Sequence, residues 1–500
     1  MRSHQLRSGA CAGTLFILAL AASVVSAAEP KWIELETDAF RAYSQVSERK
    51  SNEILRELQR FQALLASMTN LDAVPPRVPT RIFLLEQEAF ARAIAGREDV
   101  AGFFHAEPFR NDIVVDVSRS MDRSLFIIYH EYVHFQARNQ GHHALPVFYE
   151  EGLAQFVQYF INQGGRYRFG FFPDGVQDDA RSEAMPLARV LDVEVGSVEY
   201  QEHEFRRPFY MRSLLFVHYC QIGTDGCSEP LRRFIARRVN GEPTEAAFHA
   251  EFGKSTQEFD QLLDAYLPRA IGVHAWRPAN SIPRTVAPRV KPISQEDAKV
   301  EYAALLLRVN RAHEGIDALL APRLASSPDH GPSLVALAEW NERQDRRVDA
   351  NKLIQRLEAS AQADPDDFAR AGSILLKRAR GNAEGMTDAG RRTALQHARR
   401  LFVRALSKQP ENLEAAYGYG VTQVTQPDDL QRSLNIVGAA TRRFPESGEL
   451  QLLLATHFEM LGKPDDARTL MRRAACRAMD SDLRDLARKE LGELTCVEAQ

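Results

Sequence analysis

An excess of basic charge is the first thing this sequence lacks. Its 63 lysines and arginines stand against 67 aspartates and glutamates, a net charge of −4. No field of one sign is left to draw in nucleic acid. Long apolar runs are missing after the first 28 residues, so no later segment is long enough to cross a bilayer. Cysteine is scarce, with five in 500 residues. Cys220, Cys227, Cys476 and Cys496 are not spaced as a zinc knot. Four cysteines admit three pairings. Cys220–Cys227 and Cys476–Cys496 are the pairs close in sequence, and both suit an oxidising compartment.

What is present begins with an export signature. Arg2 and Arg7 precede an apolar run from Gly13 to Val25, and small residues continue to Ala28. The run is short for a membrane span, and an A-x-A-like cut falls near Val25-Ser26-Ala27. Cys11 lies ahead of the run, poorly placed for a lipid anchor. Residues 1–28 are therefore expected to be a cleaved signal peptide, and the mature chain to be periplasmic or secreted.

Three regions follow. Residues 29–271 alternate short strand-like pieces with helices. These include 32–36, 40–44, a long helix 48–67, a strand at 80–85, a helix from Gln87, and a strand pair at 101–105 and 111–117 joined by a turn at 107–110. A mostly helical stretch completes this region. Strands first and helices after predict an α+β domain with a mixed sheet. Residues 272–293 carry Pro278, Pro283, Pro288 and Pro292 with little apolar periodicity, the composition of an extended, semi-rigid linker. Residues 294–500 read as all-α and repetitive, with Pro328, Pro365, Pro410 and Pro445 each opening a helix-pair unit and an insertion at 380–391. Ala398, Phe402, Ala405 and Pro410 resemble the second helix of a tetratricopeptide repeat, and Leu454, Ala455, Phe458, Ala467 and Ala474 match the next unit. Such arrays build concave surfaces for peptides or proteins. The resemblance therefore implies recruitment of a protein or peptide partner; a helical domain that only stabilises the rest of the chain is the plainer alternative.

The densest chemistry lies in His130-Glu131-Tyr132-Val133-His134, an H-E-x-x-H pattern within a predicted helix from Asp122 to Asn139. Residues four apart share a helix face, so both imidazoles can address one point. Two imidazole nitrogens suit Zn²⁺, and Glu131 is placed to take a proton from a water on it. Leu125–Tyr129, Val133 and Phe135 make the helix apolar, and a buried His or Glu needs a partner. A second helix from Pro146 carries Glu150 and Glu151 among Phe148, Leu153, Phe156, Val157 and Phe160. Folded back through a loop at Gly141, it brings a carboxylate to the histidines.

An H-E-x-x-H followed one helix later by aromatic-x-E-G-x-A resembles the gluzincin metallopeptidases, closest to their peptidase-MA-like branch. The resemblance implies a zinc-dependent peptidase with His130, His134 and Glu151 as ligands and Glu131 as the catalytic base. Gly152 fits a close helix approach. The metzincin pattern would need Gly at 137 and His at 140, where this chain has Ala137 and Gln140. His142 and His143 read as solvated loop histidines. The G-x-M-E-N stretch of related exopeptidases is absent, which leaves an endopeptidase or an unassigned peptidase. Gln155, on the Glu151 face, is a candidate acceptor behind the histidines. Tyr210, in a predicted helix at 209–219, is the candidate donor to the oxyanion, with His218 as a second choice. In this family an edge strand before the zinc helix binds the substrate backbone; 101–105 and 111–117 both qualify. The alternative function is a catalytically silent scaffold whose repeats bind proteins. Oligomeric state is not legible.

Overall fold

Two short strands, β1 (Ile33–Glu36) and β2 (Arg41–Ser44), open the fold and pair antiparallel. The computed structural model describes residues 31–474 apart from 69–77, 95–100, 140–144, 173–184, 195–196, 224–225, 240–241, 271, 310–314, 382–385 and 446. The expected signal peptide, the loop with His142 and His143, and Cys476 and Cys496 lie outside the described residues. Helix α1 (Glu48–Met68) buries Ile54, Leu55, Leu58, Phe61, Leu64 and Leu65, the apolar stripe its spacing predicts. Strand β3 (Thr80–Leu85), helix α2 (Gln87–Ile94) and the hairpin β4 (Gly102–Glu107) and β5 (Arg110–Asp116) follow.

Together these make a six-stranded mixed sheet in the order β4-β5-β3-β2-β1-β9, where β9 is Arg289–Lys291. Pairing is parallel between β2 and β3 and between β3 and β5, and antiparallel elsewhere. Successive side chains of β3 face opposite cores. Ile82 and Leu84 join one, with α1 and α3 (Met121–Asn139). Phe83 joins the other, with α2 and α11 (Gln295–Arg308). A strand covered on both faces reads as a continuous apolar run, which is how Ile82–Leu85 reads.

After α3 come α4 (Val147–Gln158), the short strands β6 (Ile161–Gln163) and β7 (Arg166–Phe169), and helices α5 (Leu187–Leu191), α6 (Val198–Gln201), α7 (His203–Ile222), α8 (Ser228–Val239), α9 (Thr244–Phe252) and α10 (Thr256–Ala270). Helix α7 begins at His203, ahead of the expected 209; Pro208 sits inside it, and a proline reads as a helix boundary. Cys220 and Cys227 form a disulfide at its C-terminal end.

The stretch expected to be a linker is built into both sheets. β8 (Ala275–Pro278) pairs with β7, and β9 pairs with β1. The expected boundary at 294 does not separate two cores either. Ala298, Leu305 and Leu306 of α11 pack with Trp32, Tyr43, Phe83 and Val114 across the sheet. From α11 onward the chain forms helix pairs, α11 with α12 (Ile316–Ser326), α13 (Gly331–Arg343) with α14 (Arg347–Ala359), α15 (Pro365–Arg380) with α16 (Asp388–Lys408), α17 (Leu413–Thr425) with α18 (Leu430–Arg443), and α19 (Gly448–Met460) with α20 (Pro464–Ala474). Pro365 is the first residue of α15, which Asp364 and Asp367 cap reciprocally. Pro328, Pro410 and Pro445 each stand three residues before a helix. The expected insertion at 380–391 spans the connection between α15 and the 21-residue α16.

Candidate metal centre

Helix α3 turns Ile128, Tyr129, Tyr132 and Val133 into the core and leaves His130, Glu131 and His134 on its half-buried side. The two imidazole rings lie one turn apart, 5.0 Å between centroids. Helix α4 starts after Pro146, which serves as its N-cap, and packs between α3 and α7. Gly152 makes that approach possible. A Cβ there would lie 2.6 Å from the backbone oxygen of Ser213 and 2.7 Å from Val217 Cγ2, both on α7.

This packing brings Glu151 to both histidines. Its Oε2 is 3.4 Å from His130 Nε2 and its Oε1 3.8 Å from His134 Nε2. The three ligand atoms lie within 4.8 Å of one another. Tetrahedral bonds of the usual zinc length put neighbouring ligand atoms roughly 3.3 Å apart, so modest side-chain adjustment closes the set on an ion. Glu151 is 2 % exposed. Its Oε1 accepts from the Tyr200 hydroxyl at 3.0 Å, while its Oε2 is buried with no hydrogen-bond partner. An ionised oxygen left in that state is costly, and a cation between the three side chains removes the cost. Two imidazoles and a carboxylate are the donor set of a catalytic zinc site; the residues present fit the ion.

The electrostatics run the same way. Burial opposes charge on Glu151, but the His134 and His130 rings and the Tyr200 hydroxyl hold its pKa down to about 2. Burial also opposes a proton on His134, yet the Glu151 charge and a hydrogen bond to Glu150 push its pKa up to about 10. That bond joins His134 Nδ1 to Glu150 Oε1 at 2.8 Å and fixes which ring nitrogen faces Glu151.

Glu131 faces β4: a Cβ on Gly102 would stand 3.7 Å from its Cγ. Tyr210, on the side of α7 that meets α4, shares the same cluster. Burial, then the Glu151 and Glu131 charges, push its pKa well up, so the phenol keeps its proton at neutral pH. Tyr200 is raised for the same reasons, burial first and Glu151 next.

Two sequence candidates lie elsewhere. Gln155 accepts a hydrogen bond from Gln158 Nε2, and the acceptor behind His134 is Glu150. His218 is fully buried away from the cluster. Its Nε2 donates to the carbonyls of Gly170 at 2.9 Å and Val273 at 3.2 Å, and its Nδ1 accepts from Tyr266 at 2.9 Å. Sequence reasoning missed Tyr200, which reaches Glu151 from 49 positions downstream and carries no local signal. Glu150, next to Glu151 in the sequence, reaches the far nitrogen of the His134 ring instead.

No family model matches the chain, and no curated protein matches it. Among solved structures it is similar to the crystal structure of YrrB, described as a TPR protein with an unusual peptide-binding site. The two are 16% identical over 38% of this chain and 91% of that one, with a TM-score of 0.30.

Proposed function

We propose that the chain is an exported zinc-dependent peptidase, an endopeptidase, acting on peptide bonds of protein or peptide substrates. The observation that carries this reading is the convergence of His130, His134 and Glu151 on one point, with Glu131 and Tyr210 beside it. Zinc held there would polarise the scissile carbonyl and make a water acidic near neutral pH. Glu131 takes the proton of the attacking water and passes it to the leaving amine. Tyr210, kept protonated by its surroundings, donates to the oxyanion that develops on the carbonyl. Tyr200 and Glu150 hold Glu151 and His134 in place. Strand β4 ends the sheet, and no strand pairs with its outer edge among the described residues, so an extended peptide can add there. Export rests on the N-terminal signature alone.

The test compares the purified parent with Glu131→Gln. Mass spectrometry should find one zinc in each, and only the parent should cleave an unfolded protein. A parent without zinc under non-chelating conditions ends the reading. Zinc in both with cleavage by neither moves the chain to the silent-scaffold alternative.

A further inference from the structure

Helices α11, α13, α15, α17 and α19 pack on one another in series, as a row of first helices. That row meets the turn of the β4–β5 hairpin. Phe109, at the turn, lies against Tyr417 of α17 with 5.2 Å between ring centroids. Arg110 Nη2 is 3.8 Å from Glu414 Oε2, one turn earlier on the same helix. Asp112 accepts from Arg308 Nε and Nη2 of α11 at 2.7 and 2.9 Å. Next to the hairpin, Val78 is buried among Ala416, Phe444 and Leu450.

These contacts have the character of a specific interface. Arg110, Asp112 and Arg308 are 7%, 1% and 8% exposed. Charges removed from water are tolerated only with partners in fixed geometry, so the hairpin has one seat on the array. An aromatic pair and a forked arginine–carboxylate contact add direction to it. The strand that enters this turn is β4. It starts at Gly102, which lies against Ile127 and Glu131 of α3. One end of the strand is therefore held by the repeats and the other borders the candidate catalytic base.

We propose that the repeats take the chain's own β4–β5 hairpin as their ligand, and through it fix the strand along which a substrate peptide would lie. The second half rests on the peptidase reading above; the first does not. The repeat face that carries Glu414 and Tyr417 is thus a built-in clamp, not a recruiting surface.

The experiment uses the full chain with Phe109→Ala and Tyr417→Ala, singly and together. Backbone hydrogen exchange is followed in peptides covering 102–107, with peptides covering 54–65 of α1 as the reference for intact folding. Each single variant should raise exchange in 102–107 at least tenfold with α1 unchanged. The double variant should add little, since both residues belong to one contact. Phe109→Leu, which keeps apolar volume in the turn, should give a smaller rise, and it stands in if the alanine variant does not fold. Unchanged protection of 102–107 in folded variants overturns the clamp. Where the parent cleaves peptide, the variants should keep their zinc and show a raised KM with kcat less affected. A normal KM beside a loosened β4 overturns the strand's role in substrate binding and leaves the clamp standing.

Discussion

His130, Glu131 and His134 were legible because the motif is local: five residues on a helix fix their own geometry. Glu151 needed the family resemblance, since nothing in its own neighbourhood tells it from Glu150. Tyr200 was out of reach, because its contact with Glu151 depends on how α6 and α7 fold over α4. His218 shows the opposite error, a chemistry-bearing residue whose role is to tie the chain together. Burial pushes its pKa down to about 4 despite the backbone carbonyls that favour a proton. The unfolded chain binds a proton there below about pH 6.5 and the folded chain does not until about pH 4, so stability falls as pH drops through that window. The loss amounts to about 3 kcal/mol. His218→Gln should be less stable than the parent at pH 7, and that gap should shrink by about this amount at pH 4, as read by urea unfolding at both pH values. A constant gap would mean that the imidazole is not the group that titrates.

At the scale of elements, the approach of α4 to α7 decides whether Glu151 meets His130 and His134. Gly152→Ala places a methyl group against the Ser213 carbonyl, a backbone atom that cannot swing aside. The helices must separate, at a cost of about 1–3 kcal/mol. Glu151 moves with α4, away from Tyr200 and Tyr210. Thermal unfolding should show the lower stability, and a zinc titration at least a tenfold weaker affinity; unaltered affinity would show that the carboxylate is placed by something other than this packing. Elements with strong local signals are legible nearly to the residue, among them α1, β3 and α3, and α2 at its start. Strands β8 and β9 were not. They have four and three residues, they are mostly exposed, and their partners Tyr167 and Leu35 lie far away in sequence. Prolines around a short strand that uses only one of its edges look the same as prolines in a spacer.

For the molecule as a whole, the sequence implied a catalytic domain and a repeat domain joined by a tether. The helix pairs are there, and so is the mixed sheet. Their independence is not, because α11 is buried at every position from Tyr302 to Arg308, and nothing in its own residues says that one of the surfaces covering it is the sheet. The buried pair of Arg308 and Asp112 makes the same point: two charged residues 196 positions apart give no hint of each other until they meet. Composition and periodicity describe pieces, and the seams between pieces are long-range events.

Strand β9 has a practical consequence. A fragment that stops at residue 271 loses β8, β9 and α11 with α12, and keeps only α2 over Phe83 and Val114. It would expose the open hydrogen-bonding rim of β1 together with much of an apolar sheet face, the combination that promotes edge-to-edge association. Light scattering should find such a fragment aggregated at concentrations where the whole chain stays dispersed. A well-behaved monomeric fragment would mean that the N-terminal region can close its own sheet.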